Sequence, residues 1–195
     1  MMRKLVLLLF TMMMGTQWVA AQDAQSQMKI AAIRTAYAKA MTLEADGKKP
    51  GKKNYQTFES VATDPNGVWK TRVDFIFDNS EHFKELDLYP CQLVMARQKV
   101  GEYVQEFLFD KDGELIFVFV RSDPAGQDET TEYRYYYEKG VPFWKNEKLI
   151  DLKTKRVIKE SQQPVKAEDA ETGIWYNRPA ADMKKAFEGL NAMYD

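Results

Sequence analysis

One cysteine and one histidine, Cys91 and His82, are all that 195 residues contain. A lone cysteine closes no internal disulfide, so the fold must be held by burial. The same shortage excludes a metal site built from histidine and cysteine ligands, and no metal or other cofactor is expected. A thiol nucleophile needs a histidine base. His82 lies in the charged segment Asn79-Ser80-Glu81-His82, whereas Cys91 falls in the apolar stretch from Tyr89 to Met95 and reads as a small buried hydrophobe. Glycine-rich phosphate loops, serine elbows and paired cysteines are missing too. No catalytic residue is assigned.

Excess positive charge is also lacking. The formal net charge is −1, and nucleic acid, which attracts clustered cations, is not expected as a partner. Lys48-Lys49 and Lys52-Lys53 flank Pro50-Gly51 and read as a solvated connector. Only one long hydrophobic run occurs, Leu5 to Met14, interrupted by Thr11. It is about half of the roughly 20 residues that a bilayer core demands. Arg3-Lys4 precede it, and Gly15 and then Val19-Ala20-Ala21 follow, the layout of a secretory signal peptide. Residues 1–21 are therefore expected to be removed after Ala21. A lipid anchor would need cysteine where Gln22 stands. The expected product is a single domain, 22–195, with 26 basic and 29 acidic side chains. It would be periplasmic or secreted, with no stable membrane insertion after cleavage.

What the chain does have is aromatics: 4 Trp, 10 Tyr and 11 Phe, set largely in alternating segments. Ahead of them, Ile30, Ile33, Tyr37 and Met41 recur at helical spacing, predicting a helix over 25–44 that Asp46-Gly47 closes. Asp64-Pro65-Asn66-Gly67 marks a turn. From Val68 to Asp78 the period becomes two: Trp69, Thr71, Val73, Phe75 and Phe77 alternate with Lys70, Arg72, Asp74, Ile76 and Asp78, a strand with one buried and one mostly wet face. Further strands are predicted over 89–100, with Pro90 near the start, and over 103–109. The connection Asp110-Lys111-Asp112-Gly113 leads into Leu115 to Val120, an apolar run that suits a central strand covered on both faces. Thr131 to Glu138 forms another strand, turning at Lys139-Gly140 into Val141-Pro142-Phe143-Trp144, where Pro142 argues for an edge position. Residues 147–158 add a short hairpin. Pro179 opens a closing helix striped by Met183, Ala186, Phe187, Leu190 and Tyr194. The strand–turn–strand pattern of 106–113 echoes in 134–140, as in two successive hairpins of a meander.

Three constellations bear on function. Asp110-x-Asp112-Gly113 invites a calcium loop, but with Gly113 at the sixth position Leu108 and Phe119 would fall where oxygen ligands belong. Glu132 and Glu138 share a strand face, yet six residues of strand separate them by roughly 20 Å, too far for a glycosidase pair. The tyrosines are the third. Tyr133, Tyr135 and Tyr137 share one face, with Tyr136 and Arg134 on the other; Trp144 follows across the turn, and Trp175-Tyr176 lie nearer the C-terminus. These six aromatics (Tyr133, Tyr135, Tyr137, Trp144, Trp175 and Tyr176) are either cross-strand packing beneath a helix or an aromatic platform for a sugar ring, a peptide or a protein partner.

The run Ile30-Ala31-Ala32-Ile33-Arg34-Thr35-Ala36-Tyr37-Ala38-Lys39-Ala40 resembles the first mature helix of small exported proteins common in gut Bacteroidetes. Asp110-Lys111-Asp112-Gly113 running into Glu114-Leu115-Ile116-Phe117, and Glu132 to Tyr137, are similar to that group as well. The resemblance implies an envelope or secreted location and carries over no catalytic residue. The expected fold is α+β: a helix, an antiparallel meander of six to eight strands, and a closing helix. The expected function is an exported, non-enzymatic binding or interaction module whose partner is a protein, peptide or glycan. A carboxylate-based hydrolase and an assembly component of an envelope complex are the alternatives.

Overall fold

A computed structural model describes residues 2–52, 54–64, 67–79, 92–123 and 126–191. It divides into two compact units, Met1–Thr35 and Ala36–Asp195. The first unit is helical. It belongs to α1 (Met2–Gly47), which is longer than the helix expected over 25–44. Leu, Met and Ala dominate residues 5–40, all good helix formers, and the first proline of the chain is Pro50. Ile30, Ile33 and Ala40 are buried at helical spacing, while Met41 is exposed. Gly47 ends the helix, and its role is close approach: a Cβ there would sit 2.8 Å from that of Tyr55.

The second unit carries the end of α1, eight strands and two further helices. The strands are β1 (Tyr55–Asp64), β2 (Gly67–Asp78), β3 (Gln92–Val100), β4 (Tyr103–Phe109), β5 (Leu115–Ser122), β6 (Glu129–Glu138), β7 (Val141–Asp151) and β8 (Val157–Pro164). They form one antiparallel sheet in chain order. Helices α2 (Ala167–Trp175) and α3 (Asn177–Asn191) follow. The architecture is α+β, as the sequence predicts. Cys91, His82, Pro90 and Tyr194 lie outside the described residues.

Side chains alternate between the two faces of the sheet. One face presents Phe75, Phe107, Val118, Tyr135 and Tyr137 to Tyr176, Ala180 and Phe187 from the helices. Phe187 meets Phe75 and Phe77 at ring distances of 5.5 and 5.4 Å. The other face carries Ile76, Met95, Leu108, Phe117 and Tyr136, all buried. Tyr37 from the end of α1 packs on Phe117 there, rings 5.3 Å apart. β5 is thus covered on both faces, as its unbroken apolar run anticipates.

Register shifts recur between Ile76 and Phe77, Leu108 and Phe109, and Tyr136 and Tyr137. Each skips one residue on the partner strand, so Phe77 with Leu93, Phe109 with Leu115 and Tyr137 with Pro142 stay opposite one another. Without the shift, Leu115 would share the face of Phe117 and leave the helix-covered core.

Three expectations change. The sequence reading placed no strand at 55–64, yet β1 pairs with β2 along its whole length, from Tyr55 opposite Ile76 to Asp64 opposite Gly67. The second face of β2 is wet only toward its start: Lys70 is exposed and the Arg72 side chain 43 % exposed, but Asp74 and Ile76 are 5 % and 0 % exposed. Pro142 does not mark an edge, since β7 pairs with both β6 and β8. The β7–β8 ladder begins at Trp144 opposite Pro164, so the missing N–H of Pro142 falls beyond it.

Candidate ligand-binding depression

Two rows of the helix-covered face run off its apolar centre at the ends of β4 to β7. Tyr103, Ser122, Thr131 and Leu149 stand opposite one another in sequence across four strands, and Gln105, Val120 and Tyr133 form the next row. Where the neighbouring row holds Phe107, Val118 and Tyr135, the next has Gln105 in place of Phe107, and the outermost has Ser122 and Thr131 in place of Val118 and Tyr135. A depression of about 480 Å³ results. Tyr176, at the corner between α2 and α3, Gln127, from the β5–β6 connection, and Glu129 and Thr130, at the start of β6, also line it.

Its aromatic walls are fixed by their own polar contacts. The Tyr103 hydroxyl donates to Gln105 Oε1 at 3.3 Å, and Gln105 in turn donates to Gln98. Burial pushes the phenols of Tyr103 and Tyr176 above their ordinary value, so both stay protonated throughout the neutral range. Tyr133 is half-buried, and Lys145 Nζ sits 5.2 Å from its ring centroid. Lys145 itself is buried and bonds Asp169 at 2.8 Å and Glu147 at 3.3 Å. Burial opposes its charge, but the hydrogen bond it donates to Asp169, with Tyr135 and Glu147 beside it, outweighs that and holds it protonated.

The six aromatics singled out by sequence part company. Tyr135 and Tyr137 do share the face of Tyr133, but each is only 2 % exposed. Tyr135 packs on Tyr176, rings 5.8 Å apart, and the Tyr137 hydroxyl donates to the Gly173 carbonyl at 2.7 Å. Covered by α2 and the α2–α3 corner, both belong to the core and no ligand reaches them from solvent. Trp144 is 6 % exposed and lies on the opposite face, across from Tyr136. Trp175 is 63 % exposed, its ring edge-on to Tyr176 at 5.2 Å, but it does not line the depression. Of the six, only Tyr133 and Tyr176 line the depression: Tyr133 is half-buried, and Tyr176, 8 % exposed, forms its inner wall. Sequence reasoning missed Tyr103, Ser122 and Thr131. Their signal was the pairing that short turns impose on β4, β5 and β6, which sets all three in one row.

The buried carboxylates are engaged elsewhere. On the far face Arg97 bonds Glu44 and Glu106, each at 2.6 Å, and Tyr37 donates to Glu106 at 2.6 Å. Burial would raise the Glu44 carboxyl, but hydrogen bonds from Arg97 and Lys48 hold it below its ordinary value. Asp74 is likewise held low against its burial by Thr57, Arg72 and Tyr55. Glu132, one of the two carboxylates weighed as a glycosidase pair, bonds Arg134 at 2.6 Å and Arg121 at 3.2 Å, and Glu138 is exposed at the strand end. Asp110 serves its turn: Oδ1 accepts from the backbone N–H of Asp112 and of Glu114, both at 2.9 Å. Among the described residues no group of three or more His, Cys, Asp or Glu is placed to hold a metal ion. Nor is any helix among them long and apolar enough to cross a membrane. The chain matches no protein-family model, no curated protein and no solved structure.

Proposed function

We propose that this chain is an exported, non-enzymatic binding module of the bacterial envelope or extracellular space, and that the Tyr103–Tyr133–Tyr176 depression takes its ligand. The depression carries the reading. It is of the size of a small-molecule site, which typically spans roughly 300–1,000 Å³, and hydroxyls converge on it from three strands and a helix corner. Support for export comes from Arg3-Lys4, the apolar run to Met14 and Val19-Ala20-Ala21, together with the resemblance to small exported proteins of gut Bacteroidetes.

The hydrolase alternative draws no support from the carboxylates. A general acid needs a carboxyl raised toward neutrality, and Glu44 and Asp74 move the other way. Two measurements test the proposal. Expression of the full precursor in a Gram-negative host should yield protein beginning at Gln22 by mass spectrometry; an intact N-terminus on protein confined to the cytosol defeats the export half. A fragment screen by NMR on the isolated protein should move the resonances of Tyr103, Ser122, Thr131, Tyr133 and Tyr176 together. Shifts that avoid those residues for every fragment defeat the binding half.

A further inference from the structure

Resting on that binding reading, we infer that the ligand of the depression is a neutral sugar unit of a glycan. Of the lining hydroxyls, that of Tyr103 gives its proton to Gln105 and is left to accept, while those of Ser122, Thr131, Tyr133 and Tyr176 can donate or accept. A sugar hydroxyl also does both, so these four can pair with either polarity. The phenol rings add apolar surface of the kind that sugar C–H faces cover.

Charge narrows the class. None of the lining residues is Lys or Arg, so a phosphate, sulfate or carboxylate would meet no countercharge. The one charged lining residue is Glu129, whose sign repels anions. A cationic ligand is disfavoured differently. An aromatic face attracts cations through its quadrupole, and the ammonium of Lys145 already lies over the Tyr133 ring. That ammonium, paired with Asp169 and Glu147, takes the place over the Tyr133 ring that a ligand cation would need, and the same pairing leaves it no free charge for an anion.

Peptide is disfavoured by topology. An extended peptide gains affinity by adding a strand to a free sheet edge. β4, β5, β6 and β7, which supply most of the lining, are each paired on both sides. The strands that line the depression therefore offer no free edge, and recognition falls to side chains.

Matched oligosaccharides test this on the isolated full-length exported protein. Triacetylchitotriose and chitotriose differ in carrying neutral acetamides or ammonium groups; galactotriose and trigalacturonate differ in carrying hydroxymethyl or carboxylate groups. Titration followed by NMR should show at least one neutral member moving the Tyr133 and Tyr176 resonances, with an affinity at least tenfold above that of its charged counterpart. Ser122→Trp, at an exposed position of the lining, should fill the depression and cut that affinity at least tenfold; Gln127→Trp on the adjoining connection serves if the first variant folds poorly. Binding confined to the charged members and abolished by these variants overturns the neutral-sugar assignment while keeping the site. Shifts that leave the lining residues still with every probe overturn the site itself.

Discussion

Arg97 Nη1 lies 2.6 Å from Glu44 Oε1, tying the end of α1 to β3, while Arg97 Nε reaches Glu106 Oε1 at the same distance. One guanidinium thus bridges two carboxylates whose side chains are 5 % and 6 % exposed, and Lys48 Nζ, 2.6 Å from Glu44, supplies the second positive charge. Arg97→Met should leave buried Glu106 with only the Tyr37 hydroxyl and Glu44 with only Lys48, and cost about 3–5 kcal/mol in urea unfolding. The triple change Arg97→Met, Glu44→Leu, Glu106→Leu should recover most of that loss, because no charge is then stranded. A single Arg97→Met variant as stable as the parent would show that water reaches these carboxylates freely.

Acid should loosen the far face of the sheet. Glu44 and Asp74 titrate below their ordinary values of 4.5 and 3.8 in the folded protein. The folded state therefore binds these protons more weakly than the unfolded chain does. The stability they add is whole above about pH 5 and is lost as pH falls through the folded-state values. The melting temperature should hold between pH 7 and 5 and drop steeply below 4, with a shallower drop in Arg97→Met. A flat profile down to pH 3 would contradict the pairing.

Gly173 sits where α2 crosses Pro142. A Cβ there would come within 2.6 Å of Pro142 Cγ and 2.9 Å of its Cβ. Both are ring atoms that cannot swing aside. Helix propensity favours alanine by up to about 1 kcal/mol, and the overlap costs about 1–3 kcal/mol, so Gly173→Ala should be a net loss. It should also lengthen the Tyr137 hydroxyl contact with the Gly173 carbonyl. A raised melting temperature would mean that α2 lifts off the sheet at little cost.

Phe187 and Trp175 make a contrasting pair. Phe187 is 1 % exposed between Phe75 and Phe77, and Phe187→Ala should cost about 3–5 kcal/mol by opening a cavity under α3. Trp175, at 63 % exposed, should tolerate serine within about 0.5 kcal/mol. Equilibrium unfolding of the two variants checks both; a large loss at Trp175 would place it in a contact that this fold does not contain.

Much of the fold was legible because its period is plain. Val73, Phe75 and Phe77 alternate with Arg72, Asp74 and Ile76, and the structure keeps that division of faces. β1 was not legible: Phe58, Val61 and Ala62 are too sparse to show alternation, and the strand forms because β2 offers a full ladder. Pro142 misled because its cost depends on which ladder bonds exist at that residue, and these depend on where β8 begins to pair. For the site, alternation put Tyr133, Tyr135 and Tyr137 on one face correctly. It was silent on how far α2 and the α2–α3 corner extend over that face, and that coverage alone separates Tyr133 from the other two. The Arg97–Glu106 pair was within reach, since the tight turn at Gly101-Glu102 sets them opposite each other; its third member, Glu44, comes from packing.

The strand order follows the chain without a single crossover. Each ribbon's mate is its neighbour in sequence, a few residues away except across the 79–91 connection between β2 and β3, and closing such loops is inexpensive in entropy. Topologies dominated by nearby pairings have low contact order and fold quickly. A polypeptide emerging unfolded through a translocation pore could zip up hairpin by hairpin, with α2 and α3, the last segments to arrive, laid over the completed sheet.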